Sequence, residues 1–230
     1  MPFEEVTMNA RRLTATVLCS AAALAALSGC KTKGEIVVDQ GVGITSVRTA
    51  CPAVGIPEYT GDITTFRVPN DRTAQNIDLV ANMTDVRSQC NDGSQAGADK
   101  VTAAISFQVL ARRNDTAGAR RVTLPYFVSV LQGGSSVVSK RVGTVTLDFA
   151  DGAQRAQASG TVNAFIDRGA ATLPQEIRER ITRKRKAGDT DAAVDPLADP
   201  EVKAALARAS FEVLIGFQLD EGQLAYNATR

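Results

Sequence analysis

Six basic side chains crowd one stretch of this chain: Arg178, Arg180, Arg183, Lys184, Arg185 and Lys186. Residues of this type at this spacing can meet anionic lipid headgroups, an acidic protein surface or a polyanionic envelope polymer, and they form the candidate interaction surface. Two plainer readings stand beside that one. Cations near a helix C-terminus complement the helix dipole, and Asp189, Asp191, Asp195 and Asp199 follow closely enough to fold back and neutralise them.

Other chemistry is sparse. The 230 residues include no histidine and no tryptophan, which removes imidazole metal ligands and the commonest general base near neutral pH. Serine nucleophiles therefore have no histidine base. Gly133-Gly134 lacks a P-loop lysine at the required spacing, and Gly41-Val42-Gly43 lacks the third glycine of a dinucleotide fingerprint. Asp189, Asp191 and Asp195 lack the central glycine and terminal glutamate of an EF-hand loop. Asp148 and Asp151 sit beside a turn and read as turn formers, not as a glycosidase pair. The Asn-x-Thr triplets at Asn82, Asn114 and Asn227 have no evident use. The expectation is a non-enzymatic protein with no catalytic residue, no metal site and no cofactor. Lysine plus arginine (26) nearly balances aspartate plus glutamate (25), so nothing global points to nucleic acid.

Near the N-terminus the pattern changes. Arg11 and Arg12 precede an uncharged, alanine-rich apolar run from Leu13 to Leu27, which is secretory signal architecture. The run is shorter than the ~20 residues a spanning helix needs. Met8, just before Asn9, Arg11 and Arg12, reads as the translation start. The run ends in Leu27-Ser28-Gly29-Cys30, followed by Lys-Thr-Lys. This segment resembles the lipobox of bacterial lipoproteins. The resemblance covers the export signal alone, and it implies cleavage before Cys30, acylation of that cysteine and attachment to a membrane through lipid. Lys31, where an aspartate would favour inner-membrane retention, implies by the same resemblance the outer membrane, on its periplasmic face. At ~0.8 kcal/mol per buried methylene, several acyl chains anchor a protein in effect permanently. Loss of residues 1–29 removes Glu4, Glu5, Arg11 and Arg12 together, so the mature charge stays at +1.

That address bears on the other cysteines. Cys19 leaves with the signal and Cys30 carries lipid, which leaves Cys51 and Cys90 in an oxidising compartment. They are expected to form a disulfide, and the absence of a Cys-x-x-Cys spacing argues against a redox role.

The elements that must carry these residues read mainly as strands. Residues 30–57 read as anchor and tether, with a first strand or loop near Ile36 to Val38. Ile63 to Val68, and Ile77 to Met83, suit short half-buried strands. Val101, Ala103, Ile105, Phe107 and Val109 share one face of a strand; Val122, Leu124, Tyr126, Val128 and Val130 share one face of the next. A turn at Gln132 to Ser136 leads to a strand through Val142, Val145, Leu147 and Phe149, whose phase slip near Gly143 reads as a bulge. Ser159 to Ile166 follows. Thr172-Leu173-Pro174-Gln175 has capping-box spacing and predicts a helix of about four turns stopping near Gly188, with Leu173, Ile177 and Ile181 as a narrow apolar stripe. Asp189 to Pro200 reads as a connector, Glu201 to Ala209 as a short helix, and Phe211 to Leu219 as a last strand.

Turns at this spacing predict a mainly β fold: an antiparallel β-sandwich, immunoglobulin-like or similar, over residues 58–230, with a helical insertion at about 172–209 before the last strand. The functional expectation is a lipid-anchored envelope protein presenting its sandwich to another envelope component. The alternative is a periplasmic binding module for a small amphiphile, lipid or glycan.

Overall fold

Alternating apolar residues make this a chain of strands, and strands dominate its structure. The computed structural model describes residues 49–69, 71–94, 98–184, 188, 190 and 194–230. The expected lipid attachment at Cys30 and the element near Ile36 to Val38 lie outside the described residues. In chain order the elements are β1 (Ala53–Gly55), β2 (Asp62–Phe66), β3 (Ile77–Asn91), β4 (Lys100–Arg113), β5 (Arg120–Gln132), β6 (Ser136–Phe149) and β7 (Arg155–Asp167). Two helices follow, α1 (Arg168–Ala171) and α2 (Gln175–Thr182), then α3 (Pro200–Ala209), β8 (Phe211–Phe217) and α4 (Glu221–Thr229).

The strands form two four-stranded sheets, ordered β1-β8-β5-β6 and β2-β3-β4-β7. Every pairing is antiparallel except the short β1–β8 contact, which is parallel. Period-two alternation explains the packing. Val101, Ala103, Ile105, Phe107 and Val109 of β4 turn inward and meet Phe211, Val213, Ile215 and Phe217 of β8 in one core with Leu147 and Phe149 of β6. Their polar neighbours on β4, Ser106 and Gln108, are exposed. This is the expected antiparallel sandwich with a helical insertion before its last strand.

The N-terminal edge is held by covalent chemistry. β1 is three residues long, within the stretch read from sequence as tether, and among the described residues it pairs with β8 alone. A disulfide from Cys51 to Cys90, at a separation of 39 residues, ties it to the end of β3 in the other sheet. Closing a loop of that size stabilises a fold by about 4 kcal/mol on the chain-entropy model.

Three local expectations need correction. The bulge expected at Gly143 is absent: Gly143 pairs in regular register with Tyr126, and the register shift falls between Val130 and Leu131. Glycine stands at 143 for room, because a Cβ there would lie 2.5 Å from Tyr126 Cζ. Gly160 of β7 is the counterpart in the other sheet, paired with Phe107 and leaving 2.3 Å between a Cβ and Phe107 Cζ. The two rings that fill these spaces meet edge to face with centroids 5.0 Å apart, a geometry that adds to their burial.

The capping box at Thr172 does not form either. Thr172 ends α1, and its hydroxyl donates back to the Arg168 carbonyl at 2.6 Å. It is thus committed to the preceding turn, and Pro174 precedes α2 without a side-chain cap. The expected four turns shrink to the eight residues of α2, about two turns, because Arg183 already has extended backbone. Two helices escaped the sequence reading: the single turn of α1, and α4, opened by a capping box between Asp220 and Gln223.

Candidate functional site

The insertion spends much of its chemistry on itself. Ile177 and Ile181 of α2 bury against Val202 and Ala205 of α3, with Leu173, Leu197 and Leu206 around them. The apolar stripe that could have faced a membrane is the core of this small unit. Arg180 donates to Glu201 at 2.8 Å and to Asp199 at 3.3 Å, and the hydrogen bond to Glu201 raises its pKa further. Asp199 caps α3 through the Glu201 N–H, and Asp195 caps the turn at Pro196–Ala198. Arg178 is exposed on α2, while Arg183 and Lys184 lie beyond the helix and have interactions of their own. Arg185, Lys186, Asp189 and Asp191 lie outside the described residues. The basic segment is therefore partly neutralised by the acids that follow it.

Residues singled out for other chemistry hold loops and strands. Asp148 pairs with Arg121 across β5 and β6, and Asp151 accepts the Gly118 N–H at 2.7 Å. Asn114 donates to the Ile77 carbonyl, Asn227 donates to the carbonyls of Tyr59 and Asp62, and Asn82 reaches the Asp62 carboxylate. Among the described residues no group of three or more acids or cysteines is placed to hold a metal ion, and no helix is long and apolar enough to cross a membrane.

Among the described residues one cation is fully enclosed. Arg113 ends β4 facing inward at 1 % exposure. Its Nε donates to the Ala153 carbonyl, its Nη2 donates to those of Thr116 and Ala150, and it lies 5.1 Å from the centroid of the Phe149 ring. It thereby locks the β4–β5 loop to the β6–β7 turn. Beside it, Arg120 grips Asp78 with two 2.7 Å hydrogen bonds, joining β5 of one sheet to β3 of the other. Those bonds hold the Asp78 carboxyl below its ordinary 3.8.

Two exposed features remain, and sequence reading named neither. The first is the outer edge of β6. Val137, Val138 and Val142 are 60 %, 56 % and 61 % exposed, and β6 ends its sheet with one side unpaired among the described residues, β7 of the other sheet running near it. Lys140 lies over the Phe127 ring and Arg141 over Phe165 of β7, which sets two cations along this edge. The break in alternation at Val137-Val138, followed by Lys140-Arg141, was the available signal: the first half of β6 has no buried face, while Val145, Leu147 and Phe149 bury its second half.

The second is an open depression of about 620 Å³ on the outer face of the β2-β3-β4-β7 sheet. Its floor is a small lattice of paired residues. Val80, Arg112 and Arg155 form one row across β3, β4 and β7; Asn82, Leu110 and Gln157 form the next. Alternation alone puts Arg112 on this face, but its meeting with Arg155 depends on strand order and register. Comparison of the chain with protein-family models, with curated proteins and with solved structures finds no match.

Proposed function

We propose that this protein is a lipid-anchored, non-enzymatic component of the cell envelope, held at the outer membrane through Cys30, which presents its sandwich to another envelope protein. The observation that carries the reading is the unpaired, valine-rich edge of β6. An open edge offers backbone donors and acceptors to an added strand. Exposed β-branched side chains at Val137, Val138 and Val142 offer an added strand apolar contacts. Lys140 and Arg141 specify its charge: the occupant is an extended, acidic segment of another protein. The signal segment and its likeness to a lipobox supply the address.

A photo-crosslinking side chain at Val138 or Val142 is expected to capture one envelope protein in cells through an acidic stretch. Capture should disappear when Lys140→Glu and Arg141→Glu are combined. Equal capture from a control position such as Thr161, on the outer face of the other sheet, would overturn the proposal, as would capture that survives the charge reversal. The address is tested separately: Cys30→Ser should release the protein from membranes, and persistent membrane association would remove the anchor from the reading.

A further inference from the structure

We infer that the depression around Arg112 and Arg155 binds an anionic amphiphile, a molecule with a carboxylate or phosphate head on a short apolar body. The site is separate from the β6 edge and does not depend on it. Arg112 and Arg155 stand directly opposite each other on β4 and β7. Directly opposed residues in an antiparallel pair have Cα atoms about 4.5–5.5 Å apart, and like charges so placed destabilise a sheet. Several other arginines of this protein meet a carboxylate: Arg87 meets Asp85, Arg120 meets Asp78, Arg121 meets Asp148 and Arg230 meets Asp62. Arg112 and Arg155 have no ion pair and no side-chain hydrogen bond among the described residues. The acids on the neighbouring strands are already engaged, Asp62 by Arg230 and Asn82 and Asp78 by Arg120.

A single anion between the two guanidiniums would remove their repulsion and accept charge-assisted hydrogen bonds from both. The neighbouring positions fix what the anion is attached to. Val80 lies beside Arg112, and Leu110, 44 % exposed, lies one row away. Together they give an apolar strip that leads off from the charged pair. Asn82 and Gln157 flank Leu110 on either side and present carboxamides at the margin of the strip. The volume lies within the range of small-molecule sites, about 300–1,000 Å³. A free inorganic anion would leave the strip uncovered, and a neutral amphiphile would leave the cations opposed.

The test uses the full chain carrying Cys30→Ser, with binding measured by isothermal titration calorimetry below micelle-forming concentrations. Four probes separate the possibilities: decyl phosphate, decanoate, inorganic phosphate and decyl maltoside. Decyl phosphate and decanoate are expected to bind. R112Q/R155Q should weaken both by about tenfold or more, with an unfolding midpoint no lower than that of the unchanged protein. Leu110→Ser should weaken decyl phosphate and decanoate alike, since both lay an alkyl chain on the strip. Arg155→Gln by itself carries the same test on the edge strand if the double variant is unstable, and Arg121→Gln is the control that leaves binding as it was. The inference is overturned if neither charged amphiphile binds, if the glutamine variants bind equally well, or if inorganic phosphate or decyl maltoside binds as tightly as decyl phosphate.

Discussion

Arg112 and Arg113 are neighbours on one strand with the same side-chain chemistry, and the fold treats them in opposite ways. Alternation sends Arg113 into the sandwich, where three carbonyls and the Phe149 ring surround it. Arg112 goes outward, where its cross-strand partner is another arginine. A buried cation must have its donors satisfied, because an unmet one costs about 1–3 kcal/mol. A solvated cation carries no such demand. The inner arginine is thus consumed in holding two loops together, while the outer one keeps its hydrogen-bonding capacity for something outside the chain.

The sharpest way to break this contrast is to remove each charge in turn. Arg113→Met keeps much of the side-chain volume but strands the carbonyls of Ala153, Thr116 and Ala150. It is expected to destabilise the protein by about 3 kcal/mol or more, read from urea unfolding. Arg113→Lys should recover only part of this, since an ammonium cannot reproduce the fork of the guanidinium. A loss below ~1 kcal/mol for the methionine variant would mean that water serves the loops as well as Arg113 does.

A smaller effect tests the same inner–outer division at β7. Gly160 leaves its inward space to Phe107, so Gly160→Ala forces a methyl group against a ring that is 1 % exposed. Overpacking of this kind destabilises by about 1–3 kcal/mol. Ser159→Ala, one residue away on the exposed face, should change stability by less than about 0.5 kcal/mol. Equal effects of the two substitutions in urea unfolding would show that the ring moves aside freely.

How much of this was legible beforehand follows from the range of the interactions. Alternation from Val101 to Val109 and from Phe211 to Phe217 is a local signal, so the strands and their inner faces could be read directly. The Cys51–Cys90 disulfide followed from the export signal and cysteine parity. Gly143 misled because a glycine within a strand has two explanations, a bulge or a close ring, and only the pairing with Tyr126 decides between them. Thr172 misled because its hydroxyl had two competing turns to serve, one of them in a helix too short to show a period. Asp220 and Gln223, by contrast, have the side chains and spacing of a capping box and could have revealed α4. The outer-face lattice was beyond reach: Arg112 and Arg155 lie far apart in sequence, and their meeting requires β7 to pair with β4.

Asp78 and Arg120 offer a milder test, at the margin between the buried and the solvated regime. The hydrogen bonds from Arg120 hold the Asp78 carboxyl below 3.8, so the folded state binds its proton less readily than the unfolded chain does. The stabilisation from this carboxylate is therefore fully present above the unfolded value and lost as pH falls through the depressed folded one. Asp78→Asn should be less stable than the unchanged protein at neutral pH, and the difference should close only below about pH 4. A difference that stayed constant throughout the acid range would assign the effect to packing and not to charge.

The smallest expected effect is the most telling. Arg112→Gln removes one of two opposed cations from an exposed position, and its unfolding free energy should stay within about 0.5 kcal/mol of the unchanged protein, on the stabilising side if anything. The gain should be larger at low ionic strength, where exposed like charges repel most, and vanish in high salt. A clear loss of stability would mean that Arg112 serves the fold as Arg113 does, and the outer face would then have no spare charge to offer a ligand. A salt-dependent gain would show that the chain tolerates a repulsion it could have avoided with one substitution, which is the expected behaviour of a charge kept for binding and not for folding.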